Sequence, residues 1–93
     1  MAVANISDII DAFYVKKRKK RKNDFTEDGC LYFHGNKIAE LTENGVIISL
    51  CGWNTPSTRG RLSQLNGVFI KKDKGITFLN GIPWLGQSKE ILL

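Results

Sequence analysis

A short hydrophobic run, Val46–Cys51, lies in the middle of the chain. It consists mainly of β-branched and other apolar residues and has a glycine on either side. A run of this length between glycines predicts a strand, because helices in globular proteins are usually longer. Alternation along that strand would place Val46, Ile48 and Leu50 on one face.

Helix signals follow this strand directly. Thr55 and Pro56 fit the cap and the first position of a helix, because a threonine hydroxyl accepts a hydrogen bond from a free amide and proline has no amide hydrogen to lose. Asn66-Gly67 fits the helix end, since both residues tolerate the left-handed conformation found there. We therefore predict a helix of about ten residues, entered through a turn that carries Trp53.

Near the N-terminus, apolar residues recur with helical spacing. Four of them follow the pattern i, i+3, i+4, i+7: Ile6, Ile9, Ile10 and Phe13. This spacing predicts a short amphipathic helix that docks on the domain or on a partner. In the basic run that follows, like charges repel at i, i+4 and nothing apolar after Val15 provides an anchor. We therefore expect a flexible linker over residues 16–28.

From Gly29 onward the apolar residues alternate with a period of two, which is typical of strands. The predicted strands are Cys30–His34, Lys37–Leu41, Val46–Cys51, Gly67–Lys72, Ile76–Leu79 and Ile82–Trp84. A Gly35-Asn36 turn is expected to join the first two, because these residues accept the positive φ values of a tight hairpin. Pro83 should lie on an edge strand, since it has no amide hydrogen to donate.

These elements predict an α+β fold with the order β-β-β-α-β-β. An antiparallel sheet of five to six short strands carries one helix, which packs on it through Leu62 and Leu65. The N-terminal amphipathic helix and basic arm, residues 1–28, precede a small α+β domain, residues 29–93.

Length and composition indicate one small domain. The 93 residues allow a modest core, and a hydrophobic content of 42 % with 25 % charged residues is usual for a globular protein. No segment approaches the roughly 18 consecutive apolar residues of a membrane span, and the N-terminus lacks the charge order of a signal peptide. We expect an intracellular protein with no membrane partner, in which Cys30 and Cys51 are buried, reduced thiols rather than a disulfide or a metal site.

The positive charge is concentrated in one segment. Residues 16–22 contain seven of the fourteen basic residues: Lys16, Lys17, Arg18, Lys19, Lys20, Arg21 and Lys22. With Asp8 and Asp11 upstream, residues 1–22 have a net charge of +5, and residues 23–93 are neutral overall. The basic character therefore belongs to the N-terminal arm.

The favoured function of this basic run is contact with the phosphates of DNA or RNA. Adjacent cations without aromatic residues between them neutralise phosphates but do not read bases. Binding would be independent of sequence, and the slope of log affinity against log salt would reach about −6 on duplex DNA. The alternatives are contact with an acidic protein surface, a nuclear-localisation-like signal, or a solvated tail without a role.

A second candidate surface surrounds the turn before the predicted helix. Its candidate partner-binding residues are Trp53, Thr55, Ser57 and Thr58. Arg59 and Arg61 follow within one turn and would help these hydroxyls and the free backbone amides to receive a phosphate. The structural alternative is favoured: Trp53 fills the core, Thr55 caps the helix, and the arginines are solvated.

No pattern in the sequence indicates an enzyme. His34 is the sole histidine and has no serine or cysteine motif around it, which is the usual situation of a structural histidine. The carboxylates are scattered through turns, and the nine glycines occur singly rather than in a phosphate-binding loop. We expect no catalytic residue, metal or cofactor.

Four ordered motifs carry a resemblance to a known family. They are Tyr32-Phe33-His34-Gly35-Asn36 with Ile38-Ala39, then Cys51-Gly52-Trp53 with Thr55, Thr58-Arg59 and Arg61-Leu62, then Gly67-Val68, and Leu79-Asn80-Gly81 with Trp84. In this order they resemble a family of short proteins encoded mainly by tailed bacteriophages and prophages. The resemblance covers residues 30–86 and implies a phage accessory protein, without a specific activity. The basic run lies outside it and is expected to be an addition of this chain.

The resulting hypothesis is a small phage protein, acting in the cytoplasm of the bacterial host, whose neutral domain is tethered to a nucleic-acid-binding arm. The alternative is a non-enzymatic binding module that engages and modulates a host protein of the defence or transcription machinery. Its contact surface would be the helix face or a hairpin edge of the domain.

Overall fold

The computed structural model describes residues 4–92 of the chain. The helices are α1 (Ser7–Tyr14) and α2 (Pro56–Leu62). The strands are β1 (Lys19–Arg21), β2 (Asp24–Glu27), β3 (Cys30–Phe33), β4 (Asn36–Leu41), β5 (Gly45–Ile48), β6 (Ile70–Asp73), β7 (Ile76–Leu79), β8 (Ile82–Pro83) and β9 (Lys89–Leu92). The predicted α+β class and the N-terminal helix are confirmed.

Over residues 4–92 the strands form two antiparallel sheets rather than one. The larger sheet has six strands in the order β1-β2-β3-β4-β5-β9, and the smaller has the order β6-β7-β8. Strands β1, β2 and β9 were not predicted. Pro83 lies in the edge strand β8, as expected. In β5, a Cβ on Gly45 would lie 1.9 Å from the backbone oxygen of Ile91, so glycine is required for the close approach of β9.

One core joins the larger sheet, the helices and the smaller sheet, which contributes Ile70 and Leu79. The apolar face of α1 is buried as predicted, with Ile9 and Phe13 fully enclosed. Val46, Ile48 and Leu50 are buried together, which confirms the predicted face of the central strand. None of the helices over residues 4–92 is long and apolar enough to cross a membrane.

Helix α2 begins as predicted but ends early. The hydroxyl of Thr55 accepts a hydrogen bond from the amide of Thr58 at 3.2 Å, and Pro56 occupies the first turn. After Leu62 the backbone changes to i→i+3 hydrogen bonds, for example from the amide of Leu65 to the carbonyl of Leu62. These bonds form turns that follow the seven residues of α2.

The β3–β4 hairpin is shifted by one residue from its predicted turn. His34 and Gly35 are its central residues, with φ of 51° and 78°, and Asn36 already belongs to β4. Two positive φ values are characteristic of the tight loops that match the twist of paired strands. His34 therefore lies at the tip of a hairpin rather than within a strand.

The expectation of a flexible linker over residues 16–28 is wrong for residues 19–27, because residues 19–21 form β1, residues 24–27 form β2, and a two-residue turn joins them. Every residue of β2 is paired with β3, and the buried side chains of Asp24 and Thr26 fix its orientation. The turn at residues 28 and 29, where we divided the chain, joins β2 to β3 of the same sheet.

Both cysteines are free thiols in the structure, but their burial differs from the expectation. Cys30 is partly buried, whereas Cys51 is exposed. Cys51 follows the end of β5 with a φ of 51°, and its thiol donates to the carbonyl of Lys37 at 2.8 Å. The turn therefore directs this side chain out of the core.

Candidate nucleic-acid interface

Strand β1 divides the basic run between two faces of the sheet. Lys20 lies opposite Phe25, which lies opposite Tyr32. Directly opposed residues of antiparallel strands project from the same face. We call this face of β1–β3 the outer face. The other one, the inner face, carries Arg21, Asp24 and Phe33. Helix α1 packs on its strands β1 and β2, and Arg61 of α2 contacts Asp24 and Phe33.

The outer face contains a cleft of about 420 Å³, named here the cationic cleft. It is lined by Arg18, Lys20, Lys22, Asn23, Phe25, Tyr32, His34 and Gly35. Three of the seven cations of the basic run therefore converge on one site. Lys20 belongs to β1, Arg18 directly precedes this strand, and Lys22 lies in the turn after it with a φ of 55°.

Aromatic rings form the floor of the cationic cleft. The ring centroids of Phe25 and Tyr32 are 5.6 Å apart with an interplanar angle of 35°, and both residues are partly exposed. The guanidinium carbon of Arg18 lies 5.3 Å from the centroid of Phe25. The aromatic residues that are missing from the basic run itself are thus supplied by the neighbouring strands.

The cations of the cleft are weakly compensated. Within the described part of the chain, Lys20 and Lys22 form no ion pair with a carboxylate. Nε of Arg18 lies 3.8 Å from Oε1 of Glu27. Because these two side chains are 69 % and 46 % exposed, solvent screens this pair. Two causes raise the pKa of Tyr32 above its ordinary value: the larger is partial desolvation, and the smaller is the nearby Cys30 thiol. The phenol therefore stays neutral at physiological pH and adds no negative charge.

On the inner face, Arg21 is occupied by the protein itself. Its guanidinium donates to the carbonyl of Asn5 at 2.7 Å and lies 3.1 Å from a carboxylate oxygen of Asp8. Lys19 projects from the same face, opposite Thr26. The side chains of Lys16 and Lys17 are exposed just after α1. The seven predicted phosphate contacts are therefore not equivalent.

Arg61 is buried and cannot contact a ligand phosphate. Its Nε donates to Oδ1 of Asp24 at 2.6 Å and its Nη2 to Oδ2 at 3.2 Å, with side chains 10 % and 5 % exposed. The guanidinium carbon also lies 3.9 Å from the centroid of Phe33. The structure therefore removes Arg61 from the predicted nucleic-acid contacts and contradicts the expectation that it is solvated.

Arg59 remains partly exposed, but it belongs to the second candidate surface. Its Nη1 donates to both the backbone carbonyl and the side-chain oxygen of Asn54. These bonds hold the turn that precedes α2. Arg59 does not line the cationic cleft, and its bonds stabilise the segment that carries Trp53.

The second surface is a cleft of about 520 Å³, named here the Trp53 cleft. It is lined by Phe33, His34, Asn36, Ile38, Leu50, Trp53, Thr55, Ser57 and Thr58. The structure thus brings the four predicted partner-binding residues together. The hydroxyls of Thr55 and Thr58 lie 3.1 Å apart and are used in capping the helix, which leaves Ser57 and Trp53 more exposed.

The expectation that Trp53 fills the core is wrong, because this side chain is 59 % exposed. The turn at Cys51 and Gly52, both with positive φ, directs the chain outward before α2. Trp84 fills the core instead, with an exposure of 4 % and its indole Nε1 donating to the carbonyl of Gln87 at 3.0 Å.

His34 lines both clefts from the tip of the β3–β4 hairpin. In residues 4–92, no three His, Cys, Asp or Glu side chains lie close enough together to hold a metal ion. The cationic cleft combines basic and aromatic side chains, which favour anions and ring systems, whereas the Trp53 cleft is lined by aromatic, apolar and hydroxyl-bearing side chains.

Comparison with known proteins places the chain in a phage family. A family model described as Kyanoviridae Gp96 protein matches residues 7–91. The matched region includes the basic run, which contradicts the expectation that this run is an addition outside the family's shared region. No curated protein and no solved structure matches the chain. This family model covers most of the chain. The chain therefore belongs to the Kyanoviridae Gp96 protein family, a family of phage proteins.

Proposed function

We propose that this phage protein binds nucleic acids without sequence preference through its cationic cleft. The observation that carries the proposal is the convergence of Arg18, Lys20 and Lys22 on the outer face, where the described carboxylates leave both lysines unpaired. As an accessory protein it would act in the cytoplasm of the bacterial host cell, where phage nucleic acid is copied and expressed.

The chemistry of the cleft favours phosphate binding over base reading. Lysine ammonium groups act as mobile point charges, which neutralise phosphates but do not match the edge of one particular base. Each neutralised phosphate releases counterions, so affinity falls as salt rises. Three to five contacts, from the cleft and from the exposed Lys16 and Lys17, correspond to a slope of log affinity against log salt of about −2 to −4.5.

The test is a titration of labelled nucleic acid at several salt concentrations. The intact protein should bind several unrelated sequences with similar affinity and with a negative salt slope. The variant Arg18→Gln/Lys20→Gln/Lys22→Gln should lose most of this affinity, because it removes the charges of the cleft and leaves the strand backbone unchanged. Absence of binding at low salt, or full affinity in the variant, would refute the proposal.

A second candidate function is supported by the Trp53 cleft: engagement of a host protein. Large aromatic side chains are typical anchors of protein interfaces, and the exposed Trp53 stands beside the apolar side chains of Ile38 and Leu50. A pull-down from nuclease-treated host lysate would test it, with Trp53→Ala as the matched variant. One stoichiometric partner that is captured by the intact chain and lost with Trp53→Ala would favour this function.

A further inference from the structure

We infer that the ligand of the cationic cleft is a single strand of nucleic acid, with an unpaired base stacked on the Phe25–Tyr32 pair. This inference rests on the proposed function and adds the class of nucleic acid. Single strands are commonly bound by grooves that combine cations for the backbone with aromatic rings for the bases.

The geometry places both kinds of group in one row across the sheet. Lys20, Phe25 and Tyr32 are directly opposed on neighbouring strands, and Lys37 continues the row on β4. The ammonium of Lys37 lies 2.9 Å from Glu40, whose hydrogen bond and charge raise the pKa of this lysine, so it remains charged. A backbone that follows the cations would bring its bases over the aromatic rings.

The rings are available for stacking. Phe25 and Tyr32 are partly exposed and belong to the outer face, whereas their neighbours Asp24 and Thr26 are buried on the inner face. Arg18 covers part of Phe25 through a cation–π contact at 5.3 Å, and this guanidinium can itself stack on a base. The neutral phenol of Tyr32 adds hydrogen bonding without repelling a phosphate.

A duplex fits this site less well. The bases of a duplex are stacked on one another, so their ring faces are covered. An aromatic side chain on a sheet surface therefore cannot stack on them. A two-stranded ribbon can enter a major groove, but the β1–β2 hairpin is joined to β3 in a six-stranded sheet and is packed against α1. The aromatic rings would therefore contribute nothing to duplex binding, which would depend on the cations alone.

The experiment compares single-stranded DNA, single-stranded RNA and duplex DNA, each of about 20 nucleotides so that the known single-strand site sizes are exceeded. Binding of the intact chain is measured by fluorescence anisotropy. Tyr32→Leu and Phe25→Leu remove a ring and keep an apolar side chain, and Tyr32→Phe is the control that keeps the ring. The DNA and RNA arms identify which single strand the cleft prefers.

Each leucine variant should lower single-strand affinity about 5- to 150-fold, as expected for loss of base stacking, and should leave duplex affinity and the salt slope unchanged. Tyr32→Phe should bind like the wild type. Equal losses on single strands and duplex, or no loss on either single strand, would overturn the inference. The proposed function fails separately, namely if Arg18→Gln/Lys20→Gln/Lys22→Gln retains full affinity for every ligand.

A measurement on the wild-type chain tests the inference even if the variants fold poorly. The wild type is crosslinked by ultraviolet light to a single strand that contains a photoreactive pyrimidine, and the attached peptide is identified by mass spectrometry. Attachment at Phe25 or Tyr32 supports the inference. Attachment confined to other residues, for example to Trp53, would overturn it.

Discussion

The two faces of strands β1–β3 use the same residue types for opposite purposes. On the inner face, Arg61 is buried in a bidentate pair with Asp24. On the outer face, Arg18 lies over Phe25 with a screened carboxylate at 3.8 Å. A cation–π contact between a guanidinium and a phenyl ring occurs in both places, at Phe33 and at Phe25. Burial therefore decides whether such a unit holds the fold or remains available to a ligand.

The same division separates neighbours within the basic run. Lys20 and Arg21 are adjacent in sequence, but the strand directs Lys20 to the cationic cleft and Arg21 to the carboxylate of Asp8. A run of seven cations looks uniform in sequence. Within β1 the period of two separates Lys20, which is open to solvent, from Arg21, which braces α1 through Asp8.

The largest expected effect tests the inner face. Asp24→Ala should lower the free energy of unfolding by about 3–5 kcal/mol, because it leaves the buried guanidinium of Arg61 without a partner. Urea denaturation measures this loss. Asp73→Ala, at an exposed position of β6, is the control and should change stability by less than about 0.5 kcal/mol. A loss below about 1 kcal/mol in Asp24→Ala would show that the pair is not buried as described.

The two tryptophans extend the contrast between buried and exposed side chains. Trp84→Ala should cost about 3–5 kcal/mol of unfolding free energy, since it opens a cavity in the core. Trp53→Ala should cost less than about 1 kcal/mol, because its ring is 59 % exposed. Iodide should quench the fluorescence of Trp53 and leave that of Trp84 nearly unchanged. Similar losses of stability in the two variants would contradict the assigned roles.

A smaller effect separates Arg21 from Lys20. Arg21→Gln removes the partly exposed pair with Asp8 and should lower the unfolding free energy by about 0.2–1 kcal/mol. Lys20→Gln should leave it unchanged, since the described residues offer this lysine no ion pair. Thermal unfolding of the two variants side by side measures the difference in stability. An equal loss of stability would contradict the assignment of Arg21 and Lys20 to different faces.

Local patterns in the sequence were sufficient for much of the fold. The apolar face of α1 with the preceding Ile6, the buried face of β5 and the Thr55 cap depend on neighbours within a few positions, so their spacing predicts them. The edge position of Pro83 followed from its missing amide hydrogen. These features required no knowledge of which distant elements pack together.

Features that depend on distant partners were not predictable in this way. Arg61 is buried because Asp24, 37 residues away, faces it across the core. The sequence did not predict strand β1, because basic residues have a low propensity for strands. This segment is ordered because it pairs with β2. The aromatic rings of the cleft come from β2 and β3, and Phe25 is the single apolar side chain between Val15 and Gly29, so no alternation of apolar residues marked β2 in the sequence.

The central claim is that the face of β1, rather than the number of charges, determines binding. It is tested by two variants that lose the same charge: Lys20→Gln/Lys22→Gln on the outer face and Lys19→Gln/Arg21→Gln on the inner face. The slope of log affinity against log salt is measured for both. The account predicts that the outer variant reduces the slope by about 1.4–1.8, the value for two lost phosphate contacts, and that the inner variant leaves it unchanged. Equal reductions would contradict the account.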